Sequence, residues 1–318
     1  MTTKPRLKSK ARGSVAKSKI GPECGIWRAS DGTDIYFEDT GGEAPTLFYI
    51  YGLACSIRHW KYPLAHFGAE GGAKARHRQV WLDFRGHGKS APPSPGGPLK
   101  VARIIQDIVE LCAFRGIESG TFLGQSMGGS IALELAFKHP DLVRGLVLLT
   151  TPGRDPGAFL PLQPLSRRLW RGMIEFNRSA PLAIRLGYRA LEPYRTMTHV
   201  MMREVVRNFG FNPHLSRTDD IDEYVGKVLD VNPNYFFDMA GELAEFDVAT
   251  LDPPIGQPAL VIGGERDRVV PPSEVRRLAQ HLLKGELEIV PHGSHCPHFD
   301  DPGSVNRLIE AFLVRHNL

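Results

Sequence analysis

Residues 121–129 read Thr121-Phe122-Leu123-Gly124-Gln125-Ser126-Met127-Gly128-Gly129, and the segment behind them runs Ile131-Ala132-Leu133-Glu134-Leu135-Ala136-Phe137-Lys138. The apolar run predicts a strand and the following segment a helix, so a Gly-x-Ser-x-Gly pattern falls on a strand-to-helix turn. In that context the pattern reads as a nucleophile elbow, a sharp, strained turn that lifts a serine hydroxyl above the sheet edge. Glycines on both sides let strand and helix approach without Cβ collisions. The helix N-terminus adds a positive dipole end beside Ser126, where negative charge would develop. A bare Gly-x-Ser-x-Gly is more often just a glycine-rich turn, and the flanking strand and helix are what favour a nucleophile.

Outward from the elbow, strands and helices alternate. Gly25–Ser30 and Thr33–Asp39 predict two strands joined by a Ser-Asp-Gly hairpin turn, and Thr46–Tyr51 a strand apolar on both faces. Gln79–Asp83 predicts a fourth, running into Phe84-Arg85-Gly86-His87-Gly88-Lys89-Ser90, and Ala91–Pro98 must be loop, with four prolines and two glycines. Leu99–Phe114 has helical periodicity. After the elbow helix come a strand at Gly145–Thr150, then about a hundred residues without strand signals, in which 154–246 read as a block of several amphipathic helices broken at Pro161, Pro164, Pro181, Pro193, Pro213 and Pro233. Strands return at Pro258–Ile262 and Leu287–Val290, between helices near Pro272–Leu283 and Gly303–His316. Such alternation implies an α/β fold, a mostly parallel sheet with helices on both faces.

The 318 residues, 42% of them hydrophobic, suffice for a sizeable core, and no run of 18 apolar residues suggests a membrane span. The net charge of +4 is unevenly placed: residues 1–20 carry seven Lys/Arg and no acid, leaving −3 for the remainder. That tail reads as a solvated, disordered extension, and no nucleic-acid partner is expected. Residues 154–246 balance 11 Arg and one Lys against 12 acids, which argues against a polyanion-binding surface. Four cysteines, Cys24, Cys55, Cys112 and Cys296, without paired spacing point to a reducing compartment, the cytoplasm.

A serine needs a base and an acid. His295 follows the last strand in His292-Gly293-Ser294-His295-Cys296-Pro297-His298; Asp267 follows another in Gly264-Glu265-Arg266-Asp267-Arg268-Val269-Val270-Pro271. Both fall at strand carboxyl ends, where open α/β sheets place their ligands, as does Ser126. An imidazole takes the hydroxyl proton during attack, and a carboxylate fixes its tautomer. Glu265 is the rival acid. Backbone N–H groups of Met127 and of Leu53, after Gly52, are the expected oxyanion donors. The His292, His295, His298 and Cys296 cluster lacks a matched partner pair elsewhere, so no metal site is expected. Gln125, Trp60 and Cys55 are candidate pocket residues, although Trp60 next to His59 reads equally well as packing at a helix start. Cys55 and Cys296 could make activity redox-sensitive, but small residues filling tight packing is the blander reading.

Taken together, Tyr51-Gly52-Leu53, Asp83–Ser90, Gly124–Gly129, Gly264–Pro271 and His295 with Asp301-Pro302 resemble the α/β-hydrolase superfamily, in its branch of serine esterases, lactonases, carbon–carbon-bond hydrolases and perhydrolases. The resemblance runs from about residue 25 to the end, outside the helical block. It implies a core of 21–153 and 247–318, a helical lid over 154–246, Asp267 as the triad acid, and no cofactor. The expected activity is hydrolysis of an ester-type bond (carboxylester, lactone or thioester) of a small, largely apolar molecule through an acyl-enzyme. Acyl transfer to another acceptor, carbon–carbon cleavage, or a small-molecule receptor on the same scaffold are the alternatives. One departure is Tyr51, where relatives usually carry histidine, so altered support of the oxyanion loop is expected. Serine at the elbow argues against the dehalogenase and epoxide hydrolase relatives, which use aspartate.

Overall fold

The computed structural model describes residues 23–68, 77–93, 97–159, 162 and 164–318. The basic tail at 1–20 therefore lies outside the described residues. The chain runs through β1 (Glu23–Arg28), β2 (Asp34–Asp39), β3 (Thr46–Ile50), α1 (Lys61–Phe67), β4 (Arg78–Leu82), α2 (Val101–Phe114), β5 (Gly120–Gln125), α3 (Met127–Lys138) and β6 (Val143–Leu149). Five helices follow: α4 (Leu165–Ser179), α5 (Pro181–Ala190), α6 (Arg195–Phe209), α7 (Thr218–Asp230) and α8 (Pro233–Glu245). β7 (Pro258–Gly264), α9 (Pro272–His281), β8 (Lys284–Val290), α10 (Pro297–Asp300) and α11 (Pro302–Arg315) complete it.

The eight strands form one sheet in the order β1-β2-β4-β3-β5-β6-β7-β8. The β1–β2 and β2–β4 pairs are antiparallel, and every other pair is parallel. Central strands β3 and β5 are buried along their whole length, as helices on both faces require. β2, near the edge, alternates buried and half-buried residues. From β3 the chain goes to β4 on one side and then to β5 on the other. The strand order thus reverses between β3 and β5, and the carboxyl ends at such a switch point are where open α/β sheets place their ligands.

Every predicted strand is present with its ends within three residues of expectation. The elbow helix begins at Met127, four residues before its first periodic position, because Gly128 and Gly129 hide the opening turn from an apolar count. The helical block is divided at Pro181 and Pro233 as expected, each proline standing first in the helix that follows, since a first-turn residue needs no N–H partner. The turn after β4 is fixed by Arg85, which is buried and holds Asp107 through two bonds of 2.6 and 2.7 Å and Asp31 through two of 2.6 and 3.0 Å. One guanidinium thereby ties the β1–β2 hairpin and α2 to that turn.

Candidate active site

Ser126 stands between β5 and α3 with φ 54° and ψ −124°, a region that side-chain-bearing residues avoid at a cost of about 1–3 kcal/mol. Its amide donates to the Leu149 carbonyl (2.8 Å) and its carbonyl accepts from Gly129 (2.9 Å), so β6 and the helix hold the strained turn. Crowding explains the glycines. A Cβ on Gly128 would lie 2.3 Å from the Ile50 carbonyl oxygen, and one on Gly52 would lie 3.2 Å from the Ser126 Cβ. The loop after β3 is thus pressed against the serine.

On the same sheet edge, His295 Nδ1 is 2.9 Å from Asp267 Oδ2. Both side chains are buried. The other carboxylate oxygen accepts the N–H groups of Val269 (2.7 Å) and Val270 (2.9 Å), which fixes the orientation of Asp267. Glu265 lies elsewhere: its side chain is half-exposed and accepts from the His292 amide (2.8 Å). Of the two candidate acids, only Asp267 reaches the imidazole among the described contacts.

Two supports of His295 carry no signal in the local sequence. Thr150, at φ 45° just past β6, donates its hydroxyl to the His295 carbonyl (2.9 Å). The buried Asp300 carboxylate accepts from Ser294 N and Oγ (both 2.6 Å), from Ser216 Oγ (2.5 Å) and from Asn212 N (3.0 Å). Burial pushes this carboxyl up, and the hydrogen bonds pull back against it. Asn212 also donates to the His292 carbonyl (2.8 Å), so the stretch between α6 and α7 is laced to the histidine loop.

The backbone N–H groups of Leu53 and Met127 donate to no protein acceptor among the described residues. Ala54, at φ 54°, closes the turn behind Leu53. Tyr51, just before Gly52, is fully buried; it accepts from the Phe84 amide (2.6 Å) and packs on the Phe84 ring at 4.2 Å. His87 is buried beside it, and burial lowers its imidazole below the usual range.

The candidate pocket residues separate. Gln125 is buried, and its Oε1 has no partner among the described residues while lying against Gly52. Cys55 packs under the Tyr224 hydroxyl, 3.7 Å from its sulfur, and burial drives its thiol up to about 12. Trp60 has no exposed surface and is core, packed on Tyr49 (5.4 Å) and stacked on His298 (5.6 Å). Its indole therefore serves the packing at the helix start instead of forming a pocket wall. The three histidines of the last loop go to different places: His292 to Glu265, His295 to Asp267, His298 into the aromatic stack.

Among the described residues no helix is long and apolar enough to cross a membrane. Over 289 residues the chain is 27% identical to the 2-hydroxy-6-oxononadienedioate/2-hydroxy-6-oxononatrienedioate hydrolase of Burkholderia vietnamiensis, covering 90% of this chain and 93% of that protein. It is 24% identical over 287 residues to 3-oxoadipate enol-lactonase 2 of Acinetobacter baylyi, covering 87% and 92%. A thermophilic esterase from Thermogutta terrifontis superposes with a TM-score of 0.68 at 23% identity, over 93% of this chain and 100% of that one. The family model for the alpha/beta hydrolase fold matches residues 45–302. Matched over most of its length, the chain belongs to the alpha/beta hydrolase fold family and is an enzyme of it.

Proposed function

We propose that Ser126, His295 and Asp267 form a catalytic triad that hydrolyses an ester-type bond of a small, largely apolar molecule. The observation that carries this reading is the buried Asp267–His295 pair on the same sheet edge as a serine held at φ 54°. Ser126 attacks the acyl carbon while His295 takes its proton, and the imidazolium is stabilised by Asp267. The oxyanion collects on the amides of Leu53 and Met127, each such donor being worth roughly a hundred- to thousandfold in rate. His295 then protonates the leaving group, the acyl-enzyme forms, and water activated by the same imidazole releases the acid. In this reading α4–α8 cover the site as a lid, with Tyr224 and Tyr235 on its inner side.

The test is the initial rate on p-nitrophenyl esters from acetate to laurate, for the wild-type chain and Ser126→Ala. Turnover should fall by about 10⁶-fold in the mutant. A folded Ser126→Ala protein that keeps even a few per cent of the rate would end the proposal. A second reading, carbon–carbon cleavage on the same triad, is favoured by the activity named for the Burkholderia relative. Turnover of a 2-hydroxy-6-oxo-dienoate without turnover of any ester would select it.

A further inference from the structure

Helices α5 and α6 contain no buried residue, and α4 buries only Ile174 and Asn177. Apolar side chains nevertheless recur on them at helical spacing, facing solvent. On α4, Leu165, Leu169, Met173 and Phe176 follow one another at three- and four-residue steps, each more than half exposed. Met197, Met201, Val205 and Phe209 do the same on α6, and Leu182 with Leu186 on α5. An apolar stripe ordinarily turns inward. Three consecutive helices, of which α4 and α5 touch each other, thus carry exposed apolar side chains at helical spacing, and clustered exposed apolar surface of this kind marks an interaction surface.

Charge identifies what it fits. The balance of the whole helical block conceals a division: residues 165–209, from α4 to α6, carry nine arginines against three glutamates, whereas α7 and α8 carry eight acids against one lysine. Six of the nine arginines are spoken for by acids, as in Arg171–Asp155, Arg178–Glu245, Arg195–Asp230 and Arg203–Asp222. Arg168, Arg185 and Arg189 are exposed and form no ion pair among the described residues. Each stands three residues after an exposed leucine, namely Leu165, Leu182 and Leu186, and residues at that spacing share a helix face. The uncommitted cations therefore lie on the apolar stripes themselves.

We propose that the α4–α6 face docks on an anionic lipid bilayer, with the leucine and methionine side chains entering the acyl boundary and the three free guanidinium groups resting on lipid phosphates. A symmetric contact with a second copy fits less well, since it would set nine arginines against nine. Shallow amphipathic attachment needs a second signal, and the seven Lys/Arg of residues 1–20 supply charge of the right sign. This inference is independent of the bond that the enzyme cleaves.

The experiment is flotation of the full chain with vesicles of phosphatidylcholine and phosphatidylglycerol at about 3:1, against phosphatidylcholine alone. Binding to the anionic vesicles should be at least about tenfold tighter and should weaken between about 50 mM and about 300 mM NaCl. Two variants, M197E/M201E/V205E and R168Q/R185Q/R189Q, should each lose about tenfold in vesicle affinity while keeping the circular dichroism spectrum and a cooperative thermal melt. If the first variant misfolds, the arginine variant still decides, because its side chains are exposed and unpaired. No binding by the wild-type chain overturns the proposal. So does undiminished binding by the arginine variant, which would assign attachment to the tail alone. A concentration-dependent dimer that R168Q/R185Q/R189Q abolishes, without vesicle binding, would give the face to a second copy instead.

Discussion

Replacing Asp267 by asparagine probes the proposed chemistry with almost no change of shape. In the wild-type chain one carboxylate oxygen receives two backbone N–H groups, at 2.7 and 2.9 Å, and the other faces His295 Nδ1 at 2.9 Å. An asparagine has one carbonyl oxygen, and the two amides of Val269 and Val270 will hold it on their side. Its NH2 group then faces the imidazole, which must accept there and carry its proton on Nε2. In that tautomer His295 cannot take a proton from a serine. By analogy with tautomer-trapping substitutions in triad enzymes, kcat should fall by about 10⁴-fold, or roughly 5.5 kcal/mol of barrier. The assay is steady-state hydrolysis of a short p-nitrophenyl ester, with a thermal melt to show that the fold is kept. Glu265→Gln is the internal control, because its carboxylate is half-exposed and meets His292; it should stay within about twofold of wild type. A loss below about tenfold in a folded Asp267→Asn protein, or the larger loss in Glu265→Gln, would refute the assignment of the acid.

Other consequences can be measured with the same preparations. Tyr51→Phe strands the buried Phe84 amide, so unfolding should cost about 1–3 kcal/mol less and kcat should drop as the Leu53 loop loosens; unchanged urea midpoint and rate would show that the tyrosine hydroxyl supports nothing. Burial drives the thiols of Cys55 and Cys112 up to about 12 and that of Cys296 well above its usual range, whereas Cys24 is exposed. Iodoacetamide near neutral pH should therefore add one label by mass, on Cys24, with activity intact; a second label with inactivation would reinstate redox control. Burial also holds His298 down at about 3 and His59 at about 4. These depressed values favour the neutral rings, so their stabilisation is whole above about pH 6.5 and is lost on acidification, by roughly 1.4 kcal/mol per pH unit for each ring. Urea titrations of His298→Phe should show a shallower loss between about pH 6.5 and about pH 4, and an unchanged slope would contradict it.

The elbow was legible because its signals are local: a strand, a glycine-flanked serine and a helix lie within eighteen residues of one another. The sheet was legible for the same reason, each central strand containing a short apolar run such as Leu47–Ile50, Val80–Leu82 or Leu146–Leu149. Between Asp267 and Glu265 only the family resemblance pointed to Asp267, since both follow β7 at similar spacing and the turn made by Val269 and Val270, which orients the Asp267 carboxylate, carries no signal in the local sequence. Trp60 could be read as pocket or core, and the Tyr49 and His298 rings that settle its surroundings are distant in sequence. The Asp300 network was invisible, because it joins Ser216 and Asn212 to a carboxylate 84 and 88 residues away. In the helical block, a balanced total concealed opposite charges on successive helices.

Six non-glycine residues among those described have positive φ, and four of them, Ala54, Ser126, Thr150 and His292, stand in the loops at the carboxyl edge of the sheet. Conformational debt in this fold is thus regional, concentrated where the proposed reacting groups are assembled. Selection for heat resistance alone would relax this rim first, since glycine or a re-routed loop relieves it at little cost to packing. The enzyme's tolerance for stabilising change should accordingly be lopsided, generous along the opposite rim of the sheet and narrow here, where ease of the backbone and competence of the site pull against each other.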